Sequence, residues 1–94
     1  MIYVIDLEYI APLAEVERHL EEHREFLRRH YAQGHFLMSG PKEPRTGGII
    51  LAQAESLETV RQWVAEDPFH AAGVARYEVT GWAPNMSAPG WPGE

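Results

Sequence analysis

The 94-residue chain contains no cysteine. That excludes disulfide bridges, thiolate catalysis and cysteine-ligated zinc, and it fits a reducing compartment. No apolar run approaches the roughly 18 residues that span a bilayer, and Met1-Ile2-Tyr3-Val4 lacks the basic stretch that opens a signal peptide. The expected location is cytoplasmic, with no membrane partner. Positive charge is also scarce: eight Lys and Arg stand against fourteen Asp and Glu, a formal charge of −6. This is the wrong sign for binding a phosphate backbone, so nucleic acid is disfavoured as a partner. The one basic cluster, Arg24, Arg28 and Arg29, is interleaved with Glu15, Glu17, Glu21, Glu22 and Glu25. With Glu25 and Arg29 at the i,i+4 spacing of a helical ion pair, it reads as a solvated helix face.

What is present is an ordinary globular composition, 45% hydrophobic and 23% charged. A single domain of this size buries only roughly 60–65% of its unfolded surface, a shortage that pairing with a second copy relieves. Ile2 to Tyr9 reads as a strand, with Ile2, Val4 and Leu7 assigned to one side and Tyr3 and Ile5 to the other. Pro12 opens a helix that runs to Gln33, with Glu15 and Glu17 near its start and Gly34 as its stop. His35 to Ser39 reads as a short strand closed by Gly40-Pro41; Lys42 to Thr46 is a turn-rich connection, and Gly47-Gly48 leads into a buried strand over Ile49 to Ala52. Ser56 caps a second helix that ends at Asp67-Pro68, Phe69 to Gly73 makes a turn or one loose helical turn, and Val74 to Trp82 alternates as a last strand. Residues 84–94, rich in Pro and Gly, form an irregular tail in which Trp91 is the only large anchor. This order of elements is the split β-α-β, ferredoxin-like plan βαββαβ: an α+β fold with a four-stranded antiparallel sheet carrying two helices on one face. A homodimer would cover the other face.

Within the first helix His23 stands where a leucine is expected. At 100° per residue, Leu13, Val16, Leu20, Leu27 and Tyr31 lie within about 80° of it, all on one side, so the imidazole points into the core. Burying such a ring is costly unless its nitrogens find partners. A second anomaly is Asp67-Pro68-Phe69, a carboxylate at a helix end followed at once by an aromatic residue.

Several segments together resemble the YCII-related (YciI-like) domain family of dimeric α+β-barrel proteins. They are the opening strand Met1 to Val4, His23 followed by Phe26-Leu27, and Gly34-His35-Phe36-Leu37-Met38-Ser39-Gly40-Pro41. Gly47-Gly48 follows, then Glu55-Ser56-Leu57-Glu58, and the stretch from Asp67-Pro68-Phe69 to Ala72-Gly73-Val74. The resemblance spans residues 1–83. It implies a ferredoxin-like monomer dimerised through its sheet, with a pocket whose His and Asp pair maps onto His23 and Asp67. It also implies a largely uncharacterised family, one branch of which removes chloride from a chlorinated hydroxyquinol-type aromatic. The short turn from Pro41 to Gly48 and the Trp-containing tail depart from many relatives and bear on ligand size and pocket closure.

If His23 faces Asp67, the carboxylate fixes the imidazole tautomer and leaves the other ring nitrogen to move a substrate proton, as in general acid/base catalysis. No nucleophile and no cofactor are then required. A lyase- or isomerase-type step on a small oxygenated or anionic molecule fits this equipment. Ser39, Gly40, Arg45, Gly47, Gly48, Pro68 and Phe69 are candidate ligand contacts: a hydroxyl at a strand end, a loop cation for an anionic substrate, glycines that let a backbone amide approach an oxyanion, and an aromatic platform. Tight turns, core packing and a merely satisfied buried histidine account for the same residues in structural terms. Two rivals follow: a non-catalytic small-molecule-binding module, and a dimer in which the pair only locks the core. His19 and His23 at i,i+4, with His30 or His70 near, have the spacing to share a metal, yet Leu20 replaces the glutamate of a HExxH motif, and no metal is assigned.

Overall fold

Eight residues of alternating burial, Ile2–Tyr9, form β1 at the centre of the sheet. The computed structural model describes residues 1–90. Next come α1 (Leu13–Arg18), α2 (Leu20–Ala32), β2 (Phe36–Pro41), β3 (Gly47–Gln53), α3 (Leu57–Val64), α4 (Pro68–Ala71) and β4 (Ala75–Trp82). The four strands make one sheet in the order β2-β3-β1-β4, antiparallel throughout. This is the expected α+β architecture. The core lies between one sheet face and the helices: Tyr3, Ile5, Leu7, Phe36, Ile50, Ala52 and Ala75 from the strands meet Val16, Phe26, Val60, Val64 and Phe69. Burying this apolar surface, at roughly 25 cal/mol per Å², is what drives the layers together.

The helix expected over Pro12 to Gln33 is broken at His19, whose backbone leaves the helical region at φ −111°, ψ 8°. There the His19 N–H bonds to the Val16 carbonyl, a tighter turn than the α-helical one. Side-chain periodicity does not register such a backbone event. The buried stripe is also recentred. Val16, Phe26 and His30 are buried on both sides of His23, whereas Leu13 and Tyr31, at the stripe's expected limit, are exposed. On α2 Glu25 pairs with Arg28 rather than with Arg29.

In β1 Leu7 joins Tyr3 and Ile5 on the core face, because the pairing with both neighbours runs without a bulge and the period of two holds to the end. Gly40 and Pro41 lie inside β2, which ladders only to β3, and an edge strand tolerates proline. Gly47 and Gly48 likewise belong to β3 and pair with Glu8 and Leu7. A Cβ on Gly47 would come within 1.9 Å of the Leu7 carbonyl oxygen, so close strand approach requires that glycine. Ser56 caps α3 by accepting from the Thr59 N–H at 3.2 Å. That helix stops at Val64, earlier than expected, and Asp67 opens α4 instead of closing α3: Pro68 occupies the first turn, where its missing N–H costs nothing. Residues 83–90 carry no strand or helix and are exposed, and Trp91 falls outside the described residues. Among the described residues, no helix is long and apolar enough to cross a membrane.

Candidate functional site

Asp67 is fully buried at the junction of α3 and α4, and its carboxylate is the acceptor at the centre of a hydrogen-bond cluster. Oδ1 caps α4 by accepting from the Phe69 N–H at 3.0 Å. Oδ2 accepts from the Tyr77 hydroxyl of β4 at 2.5 Å. His23 Nδ1, from α2, approaches the two oxygens at 2.9 and 3.1 Å. A carboxylate has no hydrogen to give, so Nδ1 carries a proton, and in the neutral ring Nε2 then holds the lone pair. Burial, then the Asp67 charge beside it, push the Tyr77 phenol well above its ordinary value, so it remains a donor across the physiological range.

Nε2 has no protein partner among the described residues, and it is not a buried orphan, because His23 lines a cleft of about 430 Å³. The phenyl ring of Phe69 stacks on the imidazole with centroids 4.1 Å apart and planes 6° from parallel. Asp67 therefore holds the edge of the ring while Phe69 covers one face. Tyr9 meets Phe69 edge-on at 6.1 Å and carries the wall outward.

The cleft brings together His23, Phe69, Ser39, Gly40, Arg45, Gly47 and Gly48. Asp67 lies behind His23, and Pro68 is outside the wall, serving to start α4. The Ser39 hydroxyl is bonded to Tyr31 at 2.5 Å. Arg45 bonds to Glu17 at 3.2 Å, and the Gly47 backbone is packed against β1. Apolar walls come from Leu7, Leu20 and Leu27. Sequence reasoning missed Tyr77, Tyr9, Glu17 and Arg24. A signal for Tyr77 existed: an inward phenol on an alternating strand needs a hydrogen-bond partner.

The histidines do not converge on a shared centre. His19 sits 3.6 Å from Glu22, while His30 is held by Glu66 at 2.8 Å and by His35 at 2.9 Å. His70 packs near Tyr77. Among the described residues no group of three metal-binding side chains forms.

Against known proteins, the chain is 33% identical over 66 residues, 70% of its length and 78% of the relative's, to the uncharacterised protein YjpA of Bacillus subtilis strain 168. A solved structure with a TM-score of 0.78 and 23% identity covers 90% of this chain and 96% of its own. It is the 5-chloro-2-hydroxyhydroquinone dehydrochlorinase TftG of Burkholderia phenoliruptrix AC1100, in complex with 2,5-dihydroxybenzoquinone, and at that identity the likeness speaks for the fold. The YCII-related domain model matches residues 1–83, which hold every strand and helix described above and the whole cleft, and the chain therefore belongs to the YCII-related domain family.

Proposed function

We propose that this protein is a cofactor-free acid/base catalyst of the lyase or isomerase type, acting on a small oxygenated or anionic organic molecule. His23 Nε2 is the base. It removes a proton from a carbon or oxygen acidified by a neighbouring carbonyl, and the resulting imidazolium is stabilised by Asp67. The same nitrogen returns the proton to another atom, giving double-bond migration, or keeps it while a leaving group departs, giving elimination. Positioned acid/base groups of this kind contribute about 10²–10⁴ in rate. One observation carries the reading: an imidazole whose Nδ1–H is fixed by a buried carboxylate, and whose other nitrogen opens into a cleft lined by Leu7, Leu20 and Leu27. The TftG likeness is compatible with it, since a dehydrochlorinase removes a proton and chloride.

Ser39, Gly40, Arg45, Gly47, Gly48 and Phe69 serve as ligand contacts, and residues 1–83 are the functional unit, with 84–94 outside the site. The active form is a homodimer closed over the outer sheet face, where Ile2, Val4, Ile49 and Leu51 are half-buried and Met38 and Trp82 are exposed.

The test follows deuterium exchange into acidic C–H positions of lactones, hydroxyquinols and small 2-oxo acids by NMR, for the wild type and for His23→Asn. We expect exchange with at least one class and a loss of about 10²-fold or more in the variant, with the fold retained. Equal rates in the two proteins refute the base. Ligand-induced stabilisation without exchange would favour a binding module.

A further inference from the structure

The charged wall of the cleft carries information that the acid/base pair does not. Three charged side chains line it, Arg24, Arg45 and Glu17, so two guanidinium groups face one carboxylate. In a chain whose formal charge is −6, the cleft wall is locally positive. Arg24 leans toward Glu21 at 3.7 Å, a residue outside the cleft. Arg45 is engaged within it: the guanidinium, carried by the β2–β3 loop, donates to Glu17 of α1 at 3.2 Å through a single nitrogen. This is not the two-pronged geometry that makes guanidinium–carboxylate pairs strong. Both partners are part-exposed, at 36% and 53% for Arg45 and Glu17, so water screens the pair and it exchanges readily. The Tyr9 hydroxyl and then Glu17 raise the Arg45 pKa further and keep it charged. Tyr9 in turn packs on Phe69, which stacks on His23, so an unbroken wall runs from the cation to the imidazole.

We propose that the cleft selects carboxylate-bearing ligands, and that Glu17 is the internal stand-in for the ligand's carboxylate on Arg45, so that binding exchanges one carboxylate for the other. Glu17 is thus a gate that competes with the ligand. The exchanged carboxylate is anchored at the β2–β3 loop, and the remainder of the molecule lies along the apolar wall toward Nε2. This inference rests on the acid/base reading for what happens at Nε2, but the carboxylate preference is read from binding alone.

Three probes, benzoate, 2,5-dihydroxybenzoate and pyruvate, are each compared with the corresponding amide by calorimetry and by NMR shifts of the Leu20 and Leu27 methyl groups. The wild type, Glu17→Gln and Arg45→Gln are used, each checked for folding by circular dichroism. The expected pattern is binding of at least one carboxylate about tenfold or more tighter than its amide. Glu17→Gln should tighten that carboxylate several-fold without affecting the amide, and Arg45→Gln should erase the preference. The proposal is overturned if no carboxylate binds more tightly than its amide, if Glu17→Gln weakens carboxylate binding, or if Arg45→Gln leaves the preference intact. His23→Asn separates the two readings: carboxylate binding that survives in this variant, alongside unchanged exchange, would discard the base while keeping the gate.

Discussion

Tyr77 gives Asp67 a third donor, and this single hydroxyl ties β4 to the junction that holds His23. Removing it in Tyr77→Phe deprives a buried charged acceptor of a bond, so stability should fall by about 1–3 kcal/mol in denaturant melts. The phenol also makes an alkaline prediction. Its folded pKa lies above the unfolded value of 10.0. Its contribution is therefore fully present below pH 10 and is lost as the unfolded chain alone releases the proton at higher pH. Wild-type stability should decline between about pH 10 and 11 with a slope that Tyr77→Phe lacks; equal slopes would contradict the assignment. At this scale much was legible. His23 interrupts an apolar stripe, which is enough to bury it. Its contact with Asp67 was not, because the two residues stand 44 positions apart and only the family resemblance joined them. Tyr77 escaped because alternation gives the face of a residue and not its partner.

At the level of elements, a second polar contact fastens α2 to the start of β2. His30 Nε2–H donates to Glu66, so its Nδ1 accepts from His35 Nδ1–H at 2.9 Å, while the His35 ring stacks on Trp63 at 3.9 Å. Two facing Nδ1 atoms hold one proton between them, not two. Burial, then the electrostatic influence of the neighbouring His30 ring, lower the His35 pKa from 6.5, although Glu66 opposes the shift. Because the folded state binds this proton less readily than the unfolded chain, stability is complete above pH 6.5 and lost as pH falls below it. In His35→Gln the acid slope just below pH 6.5 should shrink, as read by thermal melts between pH 5 and pH 7 at about half-unit steps. Gly47→Ala tests the β1–β3 contact: its methyl would meet the Leu7 backbone, and a cost of about 1–3 kcal/mol or more is expected. Existence and order of elements were readable from period and caps. Their ends were not, since the break at His19, the extension of β2 through Pro41 and the start of α4 at Pro68 depend on tertiary contacts that propensity does not contain.

For the whole molecule, the outer sheet face is the surface that the proposed homodimer would cover. Leu51 pairs across to Val4 and to Met38 at its centre. Leu51→Lys should convert a dimer into a monomer by analytical ultracentrifugation with little change in the monomer's circular dichroism; a wild-type chain that already sediments as a monomer would remove the proposed assembly. The βαββαβ plan was legible because each change of period, from two to 3.6 and back, is sharp in this sequence. The cleft was not, since it opens between the α1–α2 turn and the β2–β3 ends, which are remote in sequence.

Asp67 and Phe69 flank one proline and hold the same imidazole, one along its rim and the other across its plane. The vice is therefore a tripeptide, and covalent bonds keep the backbone anchors of its two jaws close together. A displacement of that corner carries both jaws together. An insertion between Val64 and Asp67 would therefore shift both jaws off the ring at once.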